Sequence, residues 1–340
     1  MAEALPGFNQ TRLLTLMHAA VKRCDLDLSD AVVFTEAATG AYVVTPVLAA
    51  LAGANVTAIA RPTRHGTVEQ VADTTNSLAR AAGVSERIRI TTERTQTDIG
   101  QADIVTNSGH VRPVDAEMVG WMKPSAVIPL MYEAWEFRDG DVDLEACKRR
   151  GIRVAGTNER HPSVDVFSYL GIMAVKLLLD AGIAVYGCKI LVCCDNPFEP
   201  YLRRGLRQAG AEVECVGALV AASLSDEFDA LLVALRPQAH VVIGPTEAAL
   251  IRERSPGAVV AQYWGDIDRS ALDTAGVRYW PPAAPALGHM AILPAAVGPE
   301  PTVRLQAGGL KVAEILWRSR NPRARVDRSY LTELGVSDEV

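Results

Sequence analysis

The sequence lacks the usual signatures of metal-dependent and nucleophilic enzymes. No cysteines have the C-x-x-C spacing of a zinc site, no two histidines stand four residues apart, and neither G-x-S-x-G nor the P-loop pattern occurs. The six cysteines are scattered, and the only adjacent pair, Cys193 and Cys194, cannot bridge easily. These absences disfavour zinc hydrolases, serine hydrolases and kinases, and they predict no metal site and free thiols in a reducing compartment.

Charge blocks and long apolar runs are missing as well. The net charge is −6, the pI is about 5.6, and no cluster of Lys and Arg offers an electrostatic footprint for nucleic acid. No apolar run reaches the length of a membrane span, and residues 1–12 do not resemble a signal peptide. We therefore expect a soluble cytoplasmic protein whose partner is a small molecule, not nucleic acid or a membrane, with a homodimer as the default assembly.

What is present is a chain long and apolar enough for two domains, with 340 residues of which 49% are hydrophobic. Short β-branched runs alternate with helical patterns, which predicts βαβ units. Strands are predicted at 31–34, 56–60, 87–91, 103–106, 126–130 and 152–155, and again at 189–193, 212–216, 240–244, 258–262 and 277–280, with a helix over 226–235. The predicted fold class is α/β, with two doubly wound parallel-sheet (Rossmann-like) domains joined by crossing helices.

The same patterns predict the domain organisation. The apolar helix after Pro162 is hydrophobic nearly all round, which is typical of a buried helix and suits a position between domains. The predicted parts are 1–160, a Rossmann-like domain and candidate NAD(P) site; 161–187, an interdomain helix and linker; 188–302, a flavodoxin-like substrate domain; and 303–340, a C-terminal helix and a loosely held polar tail.

The turn after the first predicted strand is a candidate phosphate-binding loop. It reads Thr35-Glu-Ala-Ala-Thr39-Gly40 and leads into a helix, although the G-x-G-x-x-G fingerprint is missing. The N–H groups at a helix N-terminus and the hydroxyls of Thr35 and Thr39 would suit a phosphate. An ordinary tight turn is an equally weighted alternative.

Arg61, Thr63 and Arg64 follow the second predicted strand, where dinucleotide folds usually place an acidic residue for the ribose of NAD. Guanidinium groups instead form paired hydrogen bonds with phosphate oxygens, which suits the 2′-phosphate of NADP. The sequence therefore favours NADP, with NAD as the second possibility. A solvated basic loop is the alternative to a binding site.

Polar residues also follow later strands, and ligands of open parallel sheets bind beyond the carboxyl ends of the strands. His161 lies two residues from Glu159, and a carboxylate near an imidazole raises its pKa and fixes its tautomer. His289, in a Gly-flanked loop, is the second acid–base candidate, although a structural role is the more common one for any single histidine. The predicted roles are catalytic for His161, Glu159, Glu133 and His289, cofactor-binding for Asn107 and Ser108, and substrate-binding for His110, Asn158 and Asp195.

Two stretches resemble a known family. Residues 102–130, with Met122-Lys123-Pro124, resemble part of the cofactor domain of the D-2-hydroxyacid dehydrogenase superfamily, and residues 143–159 resemble its passage into the interdomain helix. The resemblance implies the two-domain fold of formate and glycerate dehydrogenases. It is divergent: the family's catalytic residues are not found in their usual contexts, and no glycine loop follows strand 189–193. The dinucleotide domain of that family comes after the helix, so the domain order is predicted to be swapped.

These observations predict an NAD(P)-dependent oxidoreductase that transfers hydride to or from a small polar, anionic substrate in an interdomain cleft. A second interpretation comes from a different class. It is a non-redox lyase or transferase, or a ligand-binding protein, on a dehydrogenase-like scaffold that lost the fingerprint. The missing glycines favour the second interpretation, and the basic loop at 61–64 favours the first.

Overall fold

The computed structural model describes residues 5–63, 66–220, 227–238, 240–320 and 326–334. Its helices are α1 (Gln10–Arg23), α2 (Val44–Leu51), α3 (Val68–Ala81), α4 (Gln96–Gln101), α5 (Ala116–Trp121), α6 (Leu144–Arg150), α7 (Leu170–Asp180), α8 (Glu199–Gln208), α9 (Pro245–Arg254), α10 (Arg269–Ala275) and α11 (Glu300–Arg318). Its strands are β1 (Val32–Glu36), β2 (Asn55–Ile59), β3 (Ile88–Thr91), β4 (Ile104–Val105), β5 (Val127–Pro129), β6 (Arg153–Thr157), β7 (Lys189–Cys193), β8 (Glu212–Val216), β9 (Ala230–Ala234), β10 (Val259–Trp264), β11 (Arg278–Trp280) and β12 (Leu331–Thr332).

The chain divides into two compact units, and the second is inserted into the first. Unit 1 comprises Met1–Val166 and Gly298–Val340, and unit 2 comprises Phe167–Val297. The C-terminal helix, predicted as a separate part, therefore belongs to unit 1. The predicted interdomain segment 161–187 is divided between the two units.

Unit 1 is built on a sheet whose described strands run in the order β12-β6-β5-β4-β1-β2-β3. Strands β1 to β6 are parallel, and β12 pairs antiparallel with β6. Read from β3, the parallel strands have the order 3-2-1-4-5-6 of dinucleotide-binding folds, and the order reverses between β1 and β4. This topological switch point lies in the domain that the sequence patterns favoured for the cofactor.

Both faces of this sheet are buried, which explains the continuous apolar runs in its strands. Successive side chains of a strand point to opposite faces, so Val33 and Ile104 join one core cluster while Phe34 and Val105 join another. Helix α11 covers the first face and contributes Leu310, Val312 and Ala313, among others, to its cluster.

Two adjacent glycines let α11 lie close to the sheet. A Cβ atom on Gly308 would stand 2.8 Å from Val164 Cγ1, and one on Gly309 would stand 2.6 Å from Met131 Sδ. Both distances are shorter than van der Waals contact. From the sequence, a glycine pair in a helix indicates either a kink or a close contact, and the packing here is the close contact.

Unit 2 has a parallel sheet in the order β11-β10-β9-β7-β8. Read from β8 and numbered within the unit, the order is 2-1-3-4-5, the flavodoxin-like order expected for the later domain. The predicted helix over 226–235 is wrong where the structure describes it, because Ala230–Ala234 is the central strand β9. A run of five buried apolar residues shows no alternation. The sequence pattern of a strand buried on both faces of a parallel sheet was therefore mistaken for that of a helix.

Two further predictions need correction in these regions. The predicted strand 240–244 is only an isolated bridge from Ile243 to Ile267, since Gly244 is already the N-cap of α9 and donates its N–H to Glu247 Oε2 at 2.9 Å. The tail predicted to be loosely held contains β12, whose Leu331 pairs with Thr157. Short strands with few residues give little sequence signal, and this one forms because β6 offers an unpaired edge.

Helix α7 is less buried than its sequence predicts. Ile172 and Leu179 are 55% and 52% exposed, so the apolar face is not covered all round. The opposite face packs within unit 2, where Gly171 lies so close to Gly205 of α8 that a Cβ on the former would stand 2.7 Å from the latter's Cα. In the described part of the chain, no helix combines the length and apolarity needed to span a bilayer.

Candidate functional site

Three hydroxyl groups meet at the switch point of unit 1. The Oγ1 atoms of Thr35 and Thr106 are 2.8 Å apart, and Ser108 Oγ lies 2.7 Å from Thr106 and 3.3 Å from Thr35. All three side chains are buried. The carboxyl ends of β1 and β4 bring them together, which is where this type of sheet binds ligands. Thr35 and Ser108, both predicted to bind a cofactor, are therefore neighbours.

Asn107 lies between two of these residues and is fully buried. Its Oδ1 accepts the N–H of Met131 at 2.8 Å, whereas its Nδ2 is buried and has no hydrogen-bond partner among the described residues. Buried amide donors are nearly always paired, so an unpaired one marks a position for water or a ligand group.

Glu36, at the end of β1, was not assigned a role from the sequence. Its carboxyl group lies directly over Gly109, because a Cβ there would stand 1.7 Å from Oε2, and the same oxygen accepts the N–H of His110 at 3.3 Å. Burial is the main cause that raises the Glu36 pKa to about 7, opposed by the His110 hydrogen bond and the Arg112 charge. The residue can therefore change charge near neutral pH.

The loop after β1 meets the requirements of a dinucleotide site only in part. Gly40 has φ of +65°, and the turn Gly40–Val43 leads into α2, so N–H groups are presented at this end. Glu36, however, occupies a position where dinucleotide folds use glycine to approach the pyrophosphate. The unpaired Asn107 amide and the three hydroxyls fit such a ligand when Glu36 is protonated, since an ionised carboxylate would repel a phosphate.

Three glutamates, which we call the carboxyl cluster, lie beyond the ends of β5 and β6: Glu133, Glu136 and Glu159. Glu133 is buried; its Oε2 accepts Trp135 Nε1–H at 2.6 Å, and its Oε1 accepts the Glu159 N–H at 3.0 Å and lies 3.8 Å from Arg160 Nε. This carboxyl group holds the loop after β6 against the loop after β5.

The other two members of the carboxyl cluster share a side-chain hydrogen bond. Burial is the first cause that raises both pKa values, to about 7 for Glu136 and well above the usual range for Glu159, and the charges of neighbouring glutamates add to it. One proton is therefore held between two carboxyl groups near neutral pH, as in other coupled pairs. Glu159 was predicted from its place at a strand end; Glu136 was not assigned.

Tyr42 connects the two acidic regions electrostatically. Burial is the first cause that raises the pKa of its phenol to about 12; the charges of Glu36, Glu136 and Glu159 contribute to that rise, and Arg112 opposes it. The phenol thus stays protonated at neutral pH. Its sequence context, an apolar helix start, gives no hint of this environment.

His161 and Asn158 are engaged with the C-terminal segment. His161 Nδ1 accepts the N–H of Ser163 at 3.1 Å, and its ring stacks on Tyr330 with centroids 3.6 Å apart. Asn158 donates its backbone N–H to Tyr330 O and its Nδ2–H to Ser329 O, both at 2.8 Å. Burial lowers the His161 pKa, and Asp327 at 3.9 Å only partly offsets this. These contacts attach the loop after β6 to the turn Arg328–Tyr330, which directly precedes β12.

The basic loop after β2 is described in part. Thr63 and Gly66 exchange backbone hydrogen bonds at 3.0 and 3.2 Å, and Arg64 lies outside the described residues. Burial and then the charge of Arg61 lower the His110 pKa, so the guanidinium acts on the loop after β4. Thr39 also lies near this loop, because its Cγ2 would be 3.5 Å from a Cβ atom placed on Gly66.

The two remaining predicted residues, Asp195 and His289, belong to unit 2. Asp195 follows β7, and its Oδ1 accepts the Arg236 N–H at 2.9 Å and Asn196 Nδ2–H at 3.1 Å. The backbone N–H of His289 donates to Ala286 O at 2.9 Å, in a loop that Trp264 Nε1 anchors through Gly288 O at 3.1 Å.

The fold and the switch point define a class: two-unit α/β proteins, one unit with a parallel sheet in the order of dinucleotide-binding folds and the other with a flavodoxin-like sheet. No protein-family model and no curated protein matches the chain. Solved structures, in contrast, do match the chain. Dipicolinate synthase chains are similar, from Bacillus halodurans (12% identity, 87% of this chain and 99% of that chain, TM-score 0.53) and from Bacillus subtilis (11%, 88% and 98%, 0.54).

The NAD-dependent formate dehydrogenase of Staphylococcus aureus, solved in complex with NAD, is similar to a comparable degree. It is 13% identical over 88% of this chain and 97% of that chain, with a TM-score of 0.52. The resemblance to the D-2-hydroxyacid dehydrogenase fold is thereby confirmed, together with its divergence. At such identities the likeness concerns the fold.

Proposed function

We propose that this chain is an NAD(P)-dependent oxidoreductase that binds its dinucleotide on unit 1 and acts on a small polar, anionic substrate. The observation that carries the proposal is the switch point of the 3-2-1-4-5-6 sheet, where three hydroxyls and the unpaired Asn107 amide meet. NADP is the preferred cofactor because of the basic loop after β2. When bound, the nicotinamide would supply or accept the hydride.

The residues at the switch point would bind and orient the dinucleotide. Thr35, Ser108 and Asn107 offer hydroxyl and amide donors, and Thr39 and Gly40 add backbone N–H groups at the start of the turn that leads into α2. Arg61, Thr63 and Arg64 would hold the adenosine end through a phosphate. When protonated, the Glu36 carboxyl group would donate a hydrogen bond to the dinucleotide. When ionised, it would repel the phosphates of the ligand.

Hydride transfer needs a protein group that exchanges a proton with the substrate near neutral pH. The Glu136–Glu159 pair is proposed for that exchange because burial and the neighbouring carboxylates raise the pKa values of both groups, so the pair retains a proton that it can share. Further roles follow from the sequence patterns and remain predictions: acid–base chemistry for His161 and His289, orientation by Glu133, and substrate binding by His110, Asn158 and Asp195. The scattered cysteines favour a soluble cytoplasmic protein, proposed as a homodimer.

The test is a titration of the purified protein with NADPH and NADH, read by calorimetry. We expect saturable binding that is tighter for NADPH. Arg61→Ala should weaken NADPH binding about tenfold and leave NADH nearly unchanged, since one charge-assisted hydrogen bond is worth roughly 1.5 kcal/mol. Arg80→Ala, an exposed arginine on α3, is the matched control. If neither dinucleotide binds at millimolar concentration, the proposal fails.

A second candidate, a non-redox enzyme or ligand-binding protein on the same scaffold, is favoured by the Glu36 carboxyl group lying over Gly109. The two candidates differ in how pH acts on dinucleotide binding. The oxidoreductase proposal predicts that NADPH affinity falls as pH rises through about 7, where Glu36 ionises, and that Glu36→Gln removes this dependence. The second candidate predicts no binding by either protein at any pH.

A further inference from the structure

One segment near the C-terminus contacts the loops that carry both members of the Glu136–Glu159 pair. This C-terminal segment, residues 327–332, consists of Asp327, the turn Arg328–Tyr330 and β12. Its contacts with the two loops join residues that are 198 and 171 positions apart in the chain. Local sequence patterns therefore could not predict them.

Thr332 fixes the turn that ends with Glu136. Its Oγ1 accepts the N–H of Ala134, the first residue of that turn, at 3.0 Å, and its backbone pairs with Gly156 of β6. A Cβ atom on Gly156 would clash with Thr332 Oγ1 and would stand 2.5 Å from the Ala134 nitrogen. The space for this hydrogen bond therefore exists because residue 156 is a glycine.

The C-terminal segment also fixes the loop that carries Glu159. Asn158, the residue before it, donates its backbone N–H to Tyr330 O and its side-chain amide to Ser329 O, both at 2.8 Å. The ring of Tyr330 stacks on that of His161, two residues beyond Glu159. Contacts on both sides of Glu159 therefore restrict its position.

Two carboxyl groups share a proton only at hydrogen-bond distance. Such O–H···O bonds are about 2.5–2.7 Å long, and doubling the separation of two charges from about 2.7 Å halves their direct interaction. Burial raises the pKa values of both groups, and the hydrogen bond between them raises that of Glu159 and lowers that of Glu136. The shared proton therefore belongs to Glu159, and it stays there while the two loops are held together.

The charged groups that act most on the pair belong to the loop after β5. They are Glu133, whose charge raises both pKa values, and Arg138, whose charge lowers that of Glu136; burial remains the first cause for both glutamates. The phenols of Tyr42 and Tyr132 also face these carboxyl groups. Thr332 carries no charge, so it can affect the pair only through the distance between the two loops.

We infer that the C-terminal segment positions the Glu136–Glu159 pair for proton exchange, with Thr332 holding the Glu136 turn and Tyr330 holding the Glu159 loop. The inference rests on the proposed function, since it explains how the proposed proton-exchanging pair is kept together. Thr332 and Tyr330 act through the two glutamates, so they are positioning residues.

An NMR titration of the glutamate carboxyl carbons in the full, isotope-labelled chain tests this inference, with Glu136→Gln and Glu159→Gln assigning the signals. The wild type should titrate in two separate steps, as coupled carboxyl groups do. Thr332→Val removes the hydroxyl at nearly constant volume, so the upper step should move to lower pH and the interval between the steps should shrink about twofold. Thr332→Ser keeps the hydroxyl and should restore the wild-type interval.

Thr95→Val is the matched control. Thr95 is half-buried like Thr332, and its Oγ1 likewise accepts a backbone N–H, that of Asp98 at 3.1 Å, as the N-cap of α4. This substitution should lower the thermal midpoint of unfolding to a similar extent and leave the titration of the pair unchanged. Tyr330→Leu should narrow the interval between the steps, whereas Tyr330→Phe, which keeps the stacked ring, should preserve it.

The outcomes separate this inference from the proposed function. An unchanged interval in Thr332→Val, or an equal change in Thr95→Val, overturns the inference. A single step in the wild type overturns it too, because no coupled pair would then exist to be positioned. Dinucleotide binding is measured independently, and Thr332→Val should bind NADPH within about twofold of the wild type. If the wild type binds no NADPH, the oxidoreductase proposal falls, and the titration still decides whether the C-terminal segment positions the pair.

Discussion

At the residue scale, the molecule is unusual for carboxyl groups kept protonated close to neutral pH. Burial raises the pKa values of Glu36 and Glu136 to about 7, and it raises the pKa of Glu159 well above its usual range. Glu36 is the last residue of β1, whereas Glu136 and Glu159 follow β5 and β6. Burial and then the charges of all three raise the pKa of Tyr42. Perturbed carboxyl groups tend to concentrate at functional sites, which supports the proton-exchange role proposed for the Glu136–Glu159 pair.

The raised pKa of Glu36 predicts a pH-dependent stability. A carboxyl group whose pKa is higher in the folded than in the unfolded protein weakens folding as pH rises from about 4.5 to about 7, because the unfolded chain releases its proton first. The shift corresponds to about 3 kcal/mol at roughly 1.4 kcal/mol per pH unit. Glu36→Gln should therefore be more stable than the wild type at pH 8 and nearly equal to it near pH 4.5.

Thermal denaturation of both proteins at several pH values from 4.5 to 8 measures this difference. Glu145→Gln, at an exposed site, provides the control and should show no trend with pH. A constant difference between the Glu36→Gln variant and the wild type across the range would contradict the assigned environment of Glu36.

At the scale of elements, α11 holds unit 1 together by lying close to the sheet. Its Gly308 faces Val164 at 2.8 Å and Thr157 at 3.1 Å from the position that a Cβ would take. Gly308→Ala should therefore destabilise the protein by about 1–3 kcal/mol, because the extra methyl group overpacks a tight contact. The urea midpoint of unfolding measures the change.

Gly120 is the matched control for that substitution. It lies in α5 with nothing within 4 Å of an added Cβ, so Gly120→Ala should be neutral or stabilising by up to about 1 kcal/mol, from helix propensity alone. Equal effects of the two substitutions would show that α11 does not pack as closely as described.

At the scale of the whole molecule, the insertion of unit 2 into unit 1 has a consequence for folding. Unit 2 is one continuous segment, Phe167–Val297, with its own parallel sheet. Unit 1 needs Gly298–Val340, because α11 contributes many residues to its larger core cluster. Residues 167–297 expressed alone should fold, whereas residues 1–166 should not.

Circular dichroism and cooperative thermal melting of the two fragments test this expectation. Adding the segment 298–340 as a separate peptide should restore a cooperative transition to fragment 1–166. A stable, cooperatively melting 1–166 fragment would mean that the core of unit 1 is complete without α11.

Much of the fold was predictable because its signals are local. The β-branched run at 31–34 predicted β1 (Val32–Glu36), and equivalent runs predicted the other parallel strands of unit 1. Strand ends then located Thr35, Asn107 and Ser108 at the edge of the sheet where the strands have their carboxyl ends, since parallel strands share a direction. Periodicity failed at β9, where a run buried on both faces carries no alternation.

The sequence alone therefore determined the class of fold, the parallel strands of unit 1 and the polar residues that end them, because β propensity, helical periodicity and turn residues act over a few neighbours. Only the tertiary structure decided that Glu36 lies over Gly109, and that Ser329 and Tyr330 hold Asn158 and His161. Those contacts join residues far apart in the chain, and their chemistry depends on burial, which raises or lowers a pKa only once the chain has folded.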